Sequence, residues 1–196
     1  MTAMTFRNIF PIILLAETMV LLLAVINYGW TLEGLQAVTR YSGRASLGIF
    51  SVIFLFHNHP VVNLKRVLSD KFFLVFAIAH GIHLWELLSY LYFSGTPIVP
   101  VRVAGGFVAY VMIFVMPWIQ KKHDDQKVTD KRFKQIALIY LYYVWFIFFM
   151  TYLPRVRGTL PNVGGSYGEF VILLGWVSIM MGIKWSQLLA KPRGRT

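Results

Sequence analysis

Six long apolar segments, separated by short polar connections, dominate the hydropathy pattern of the chain. They cover about residues 9–28, 41–56, 72–93, 101–119, 133–153 and 170–189. A helix of about 20 apolar residues is long enough to cross the hydrocarbon core of a bilayer. The pattern therefore predicts an all-α polytopic membrane protein, in which residues 1–196 form a single transmembrane domain, a bundle of six helices.

The basic residues predict the orientation of this bundle. With six spans, 14 lysine and arginine residues fall on one side of the membrane and five on the other. The positive-inside rule places the richer side, which carries both chain ends, in the cytoplasm. We therefore expect cytoplasmic N- and C-termini, with the bacterial inner (cytoplasmic) membrane as the location.

Composition excludes several classes of chemistry. The chain is 57% hydrophobic and 14% charged, and it contains no cysteine. Disulfides, thiolate metal sites, iron–sulfur clusters and thiol redox reactions are therefore excluded for this chain. The net charge of +11 is explained by basic loops that set topology and face anionic lipid, so the expected partner is the lipid bilayer and not nucleic acid.

The third apolar segment carries ionisable residues near its middle. His80, His83 and Glu86 are spaced three residues apart and Tyr90 follows, which places all four on one stripe of a helix. Ionisable groups within a membrane usually face a bundle interior, a cavity or a cofactor. The two histidines are candidate haem or metal ligands, because neutral imidazole is the commonest metal ligand. The alternative is a pair of histidines that are hydrogen-bonded to neighbouring helices.

Two carboxylates, Glu86 and Glu17 of the first segment, lie well inside predicted spans. Together with Tyr90 they are candidates for a proton relay or a polar stripe, and they could also pair with a histidine or hold a cation. The alternative is a protonated carboxyl group that is hydrogen-bonded inside the bundle.

Further candidates lie at segment ends and in loops. Arg40 and Arg44 open the second segment one turn apart, where they can clamp a propionate, a quinone oxygen or a lipid phosphate, or simply snorkel to the interface. His57, His59 and His123 are expected to be solvated in loops. A histidine-box oxygenase needs many histidines on several helices, so it is excluded.

Four stretches between residues 40 and 153 match successive helices of one family, in order. They read RYSGRASLGIFSVIF (40–54), LSDKFFLVFAIAHGIHLWELLSYLYFSG (68–95), GGFVAYVMIFVMPW (105–118) and KRFKQIALIYLYYVWFIFFMTYL (131–153). The first resembles an R-x-T-G-x-x-A-L-x-x-L motif, the second a helix with a haem-ligating histidine followed by L-x-x-Y-L, and the fourth a helix that begins R-R-x-x-R-L. On these motifs the chain resembles ferric-reductase-like transmembrane domains, and among them the haem-binding membrane partners of periplasmic methionine sulfoxide reductase.

The resemblance implies a six-helix bundle that binds b-type haem and moves electrons across the membrane, with His80 or His83 as the axial ligand. The family supplies partner histidines from later helices, whereas the corresponding stretches here read QIALIY and FMTYLP. The chain has no histidine after His123, so bis-histidine ligation between the third and fifth segments cannot occur. Haem would then be held by one histidine, or with a weaker partner such as Met150 or a tyrosine. Alternatively, the chain is a member that has lost haem.

Two functional hypotheses stay open at this level. The first is a ferric-reductase-like membrane subunit that takes part in transmembrane electron transfer, with a quinone as a further candidate partner. The second is a haem-free scaffold or accessory subunit of a larger membrane complex. Both imply a protein partner. The chain has no nucleotide or flavin motif, so any oxidoreductase activity would need another protein. A transporter is disfavoured, because no inverted repeat is evident.

Overall fold

The computed structural model describes residues 5–59, 62–97, 99–160 and 165–189, without the side chains of residues 101, 102 and 188. Within these ranges the chain forms seven helices and no strand, so it is all-α as the hydropathy pattern predicts. The helices are α1 (Phe6–Tyr28), α2 (Leu32–Phe56), α3 (Leu64–Val67), α4 (Phe72–Ser94), α5 (Pro100–Asp124), α6 (Asp130–Val156) and α7 (Tyr167–Leu189). The chain ends that the charge pattern places in the cytoplasm, 1–4 and 190–196, lie outside the described residues.

Each predicted apolar segment lies within one of the six long helices. Helix α2 differs most from the prediction, because it begins at Leu32 and not near residue 41. The preceding Thr31 caps it, since its hydroxyl oxygen accepts a hydrogen bond from the backbone N–H of Gly34 at 3.1 Å. The first turns of α2 are polar, which is why hydropathy does not register them as part of a helix that lies inside a membrane bundle.

Glycines end two of the long helices. Gly29 follows α1 with a φ of 68° and Gly95 follows α4 with a φ of 63°. Residues with a Cβ rarely adopt positive φ, whereas glycine does so without strain. These turns reverse the chain, so that α1 packs against α2 and α4 against α5 as antiparallel neighbours.

Helix α2 lies at the centre of the bundle. It packs most extensively against α4 and also contacts α1, α3, α6 and α7, whereas α5 packs against α4 and α6. The core between α2, α4 and α6 is aromatic, because the ring of Phe50 lies 5.3–5.7 Å from those of Phe54, Phe76 and Phe148. Aromatic pairs at such distances stabilise a core beyond the area that they bury. The polar residues of α2 and α4 pack against this aromatic core.

The outer faces of the bundle are apolar. Among the described residues, α1, α4, α5, α6 and α7 contain stretches long and apolar enough to cross a membrane. Large side chains on their outer surfaces are exposed, including Ile26 at 77% and Trp85 at 74%. Contiguous surfaces of this kind are unfavourable in water and are covered by lipid in membrane proteins. The chain is thus a helical membrane protein whose outer helix faces contact the bilayer.

The connection after α2 folds back onto the bundle and buries His57, so the prediction of a solvated loop histidine is wrong. The residue is 8% exposed, and its ring lies against the rings of Phe72 and Phe73 at the start of α4. Its backbone carbonyl accepts a hydrogen bond from Lys184 Nζ at 3.0 Å. This contact ties the end of α2 to α7, which sequence spacing alone does not indicate.

We expect His57 to make the stability of the protein depend on pH. Burial and, to a smaller extent, the neighbouring Lys184 ammonium lower the pKa of its imidazole from 6.5 to about 4. As pH falls from 6.5 towards 4, the unfolded chain binds a proton at this residue that the folded chain does not. The free energy of unfolding should therefore decrease across this window, by on the order of 3 kcal/mol at its acid end.

Thermal unfolding in detergent micelles at a series of pH values measures this effect, with His57→Gln as the comparison. The variant has no imidazole to titrate at this position, so it should lose less stability than the native protein between neutral and mildly acidic pH. An equal loss in the two proteins would contradict the prediction.

Candidate functional site

A cavity of about 770 Å³ lies between α2, α4, α5, α6 and α7, at the end of the bundle where α2 begins and α4 ends. It brings together His80, His83, Arg40, Arg44 and Tyr90, which are five of the seven site residues that the sequence predicts. Its polar lining residues are Gln36, Thr39, Arg40, Arg44, His80, His83, Tyr90, Thr96, Tyr110, Thr151, Tyr152 and Arg155. A shallower groove of about 500 Å³ between α4 and α5 is lined by other, mainly apolar residues.

A hydrogen bond to Ser46 orients His80. Ser46 Oγ lies 2.9 Å from His80 Nδ1, and the same hydroxyl donates its proton to the carbonyl oxygen of Gly43, also at 2.9 Å. A hydroxyl has one proton to donate, so when Ser46 donates to Gly43 it accepts from Nδ1, and this arrangement favours the tautomer with the imidazole proton on Nδ1. The other ring nitrogen, Nε2, has no hydrogen-bond partner among the described residues. In that tautomer Nε2 has a free lone pair, and neutral histidine binds a metal through such an unprotonated nitrogen.

Aromatic rings fix the plane of this imidazole. The His80 ring stacks on Phe76 at a centroid distance of 5.2 Å and on Tyr110 at 4.9 Å, and Phe148 meets it edge-on at 5.7 Å. The residue is only 9% exposed. Because His80 lines the cavity, this small exposed part is accessible from the cavity. The ring is thus held in one orientation before any ligand arrives.

His83 lies one turn further along α4, with its ring centroid 5.2 Å from that of His80. The ring packs directly over Gly43 of α2, where a Cβ would lie only 2.8 Å from His83 Cε1. The ring also lies near the backbone of Thr39, and its Nδ1 is buried without a hydrogen-bond partner. The close approach of the two helices at this point therefore depends on a glycine at position 43.

Three guanidinium groups, from Arg40, Arg44 and Arg155, line the cavity. Arg44 pairs with Glu169 at 3.1 Å, and Arg40 contacts two tyrosine hydroxyls at 3.4 and 3.5 Å. Each guanidinium nevertheless keeps a buried nitrogen without a partner. Within the described residues, Glu169 is the one carboxylate paired with this group. The excess of positive charge makes this part of the cavity suitable for an anionic group.

Sequence reasoning does not single out Arg155 or Glu169. Both lie beside the longest connection, where an isolated charged residue is most simply explained by membrane topology. The signal that could have found them is chain order, because α6 ends and α7 begins at the same end of the bundle as Arg40 and Arg44. The pairing of Glu169 with Arg44, 125 residues earlier in the chain, is visible only once α2 and α7 pack together.

The cavity offers no second histidine opposite His80 within the described residues. Met150, which the sequence suggests as a weaker axial partner, is 41% exposed and does not line the cavity, so it cannot take that role. The tyrosines Tyr110 and Tyr152 do line it. No group of three or more histidine, aspartate or glutamate side chains in the described part of the chain could hold a metal ion. A bare metal ion between the two histidines would lack a third protein ligand of these types.

Glu17 and Glu86 lie apart from the cavity. Neither lines it, and their carboxyl groups instead approach each other closely enough to interact electrostatically, between α1 and α4. Tyr90 does line the cavity, and its hydroxyl accepts a hydrogen bond from Gln36 Nε2 at 2.9 Å. The polar residues of α4 therefore face two different regions. His80, His83 and Tyr90 face the cavity, whereas Glu86 faces α1.

The contact between His83 and Gly43 predicts a difference between two glycines of one helix. In Gly43→Ala the added methyl group would overlap the His83 ring, so we expect a loss of about 1–3 kcal/mol in the free energy of unfolding. In Gly48→Ala the added Cβ meets nothing within 4 Å. That variant should be neutral, or more stable by up to about 1 kcal/mol because alanine favours a helix.

Thermal unfolding of the two variants in the same detergent measures the difference. A Gly43→Ala protein as stable as Gly48→Ala would show that His83 does not pack over α2 in this way.

Comparisons with known proteins do not assign the site. A scan against protein-family models finds no match to the chain, and neither curated proteins nor solved structures contain a match. The resemblance to ferric-reductase-like domains therefore stays a prediction from sequence motifs. What the cavity binds has to be argued from its own geometry and charge.

Proposed function

We propose that this protein is the membrane subunit of an electron-transfer system and that it binds b-type haem in the cavity, with His80 as the ligand. The observation that carries the proposal is the environment of the His80 imidazole. The Ser46 contact favours the tautomer with the proton on Nδ1, and Nε2 has no hydrogen-bond partner among the described residues. A hydrogen bond to the second ring nitrogen is the usual way in which proteins orient a metal-ligating histidine.

The charge and lining of the cavity suit haem as well. Haem combines a flat apolar ring system with two anionic propionates. Apolar and aromatic side chains make up most of the cavity wall, whereas Arg40, Arg44 and Arg155 bring cationic groups with unpaired nitrogens. Arginine binds carboxylates through a fork of two N–H groups, which makes it well suited to propionates. His80 would thus hold the iron and the arginines the opposite, anionic part of the same group.

The role proposed for the chain is to bind and orient, and the bound haem would supply one-electron redox chemistry. Ligation by a single histidine is expected, because the later helices bring no other imidazole to the cavity. The sequence has no nucleotide or flavin motif, so electrons would come from another protein and pass to a protein or a quinone. The chain would then act as one subunit of an oxidoreductase.

The proposal includes six spans, with α2 as the central one. Helix α2 has 25 residues and is therefore about 37 Å long. Arginines and hydroxyl side chains lower its hydropathy, but Thr39, Ser42 and Ser46 are buried against other helices and not exposed to lipid. An even number of spans places both chain ends on one side, and the basic loops make that side cytoplasmic. The cavity would then lie towards the outer face of a bacterial inner membrane.

A second candidate function is that of a haem-free scaffold or accessory subunit of a membrane complex. The observation that favours it is the lack of a second axial histidine at the cavity, together with the tight aromatic packing around His80. In that case Nε2 and the arginines would be satisfied by groups of a partner protein or by an anionic lipid. The two functions differ in one property that is simple to measure, the visible absorption of the purified protein.

We expect the protein, purified from membranes of haem-replete cells, to show a Soret band that shifts on reduction with dithionite. His80→Ala should lose this band, because the axial ligand is removed. The matched control is His123→Ala, since His123 lies in the last turn of α5, where it is hydrogen-bonded to Asp130 away from the cavity, and should not affect haem. A colourless native protein that remains folded would contradict the proposal and favour the scaffold function.

Ser46→Ala tests whether the Ser46 hydroxyl orients His80. Loss of such a hydrogen bond to a ligating histidine typically weakens metal binding by about 10–100-fold. We therefore expect a lower affinity in haem titrations of the purified apoprotein, with Ser178→Ala as the control because that exposed hydroxyl bonds only to its own helix. Equal affinities in the two variants would show that Ser46 has no such role.

A further inference from the structure

Glu17 and Glu86 form a second polar site, separate from the cavity. Glu17 comes from the middle of α1 and Glu86 from α4, and these two helices pack against each other and against α2. Helix α2 directs the hydroxyl of Ser42 towards the Glu86 carboxyl group. The three helices thus bring two carboxyl groups and one hydroxyl group into the same region between them.

The polar atoms at this point are buried and unsatisfied. Glu17 is 8% exposed and Ser42 is not exposed at all. One oxygen of each carboxyl group and the Ser42 hydroxyl are buried without a hydrogen-bond partner. Burying an unpaired polar atom away from water is costly, and the cost is higher for an ionised group. Protonation of one carboxyl group lowers this cost, because it removes a charge and adds a hydrogen-bond donor.

Within the described residues, no cation pairs with either carboxyl group. None of the ion pairs found there involves Glu17 or Glu86, and Glu17 lies close enough to Glu86 to be affected by its charge. Arg40 and Arg44 of α2 each stand two residues from Ser42, which turns them about 200° around the helix and towards the cavity. Two neighbouring carboxylates without a cation are unlike any favourable arrangement inside a membrane, because both their repulsion and their burial favour protonation of one of them.

We propose that Glu17 and Glu86 form an intramembrane proton-binding site that carries at most one negative charge at neutral pH. A proton shared between them removes the repulsion between the carboxyl groups and gives the second carboxyl group a hydrogen-bond donor. The Ser42 hydroxyl is placed to donate to the remaining charged oxygen. A proton suits the site better than a metal ion, because no third carboxylate or imidazole ligand is available among the described residues.

Infrared spectroscopy of the purified protein in lipid vesicles tests the site directly, and it needs no haem. The native protein at neutral pH should show the carbonyl band of a protonated carboxylic acid, which shifts when H₂O is replaced by D₂O. Glu17→Gln and Glu86→Gln should each weaken or shift this band, and the double variant should abolish it. Glu33→Gln, at an exposed position of α2, is the matched control and should leave it unchanged.

The result that overturns the proposal is a native protein without such a band, or a band that survives the double variant. Because these measurements do not depend on a Soret band, they can succeed or fail independently of haem binding.

Discussion

Helix α2 can lie in this bundle only because it packs closely against α4. Helix α2 carries two arginines and a series of hydroxyl side chains, so it cannot face lipid over its whole surface. The other helices bury it, and α4 lies closest because Gly43 lets the His83 ring approach its backbone. Six of the seven site residues that the sequence predicts lie on these two helices, and the seventh, Glu17, lies on α1, which packs against both.

Helix α2 separates two sites of opposite character. One side of it contributes arginines to a cavity that also contains both intramembrane histidines. The other side contributes Ser42 to the carboxyl groups of Glu17 and Glu86. The charges of the two sites are not paired with each other, although pairing would lower the cost of burying them. This segregation is what suggests that each site binds something, an anionic group in the cavity and a proton between the carboxyl groups.

His80 shows how a buried polar residue can be ordered without being fully satisfied. Ser46 forms a hydrogen bond with one ring nitrogen, and aromatic rings fix the plane of the imidazole. The other nitrogen has no hydrogen-bond partner in the described part of the chain. A histidine with a purely structural role is expected to form hydrogen bonds through both nitrogens, because buried polar groups generally have hydrogen-bond partners. Phe76 and Phe148, which contact the imidazole, belong to the core around Phe50. The orientation of the imidazole is therefore part of the packing of the bundle.

Length and hydropathy alone predict the helical membrane class and the six apolar segments, because both depend on local residues. They also single out His80, His83, Glu17 and Glu86 as unusual, since an ionisable group in an apolar run is visible without a partner. Which of these residues meet depends on the packing of the helices. That packing directs Glu17 towards Glu86, brings Arg155 to the cavity, keeps Met150 away from it and buries His57. These outcomes depend on how helices rotate and pack, which their hydropathy does not encode.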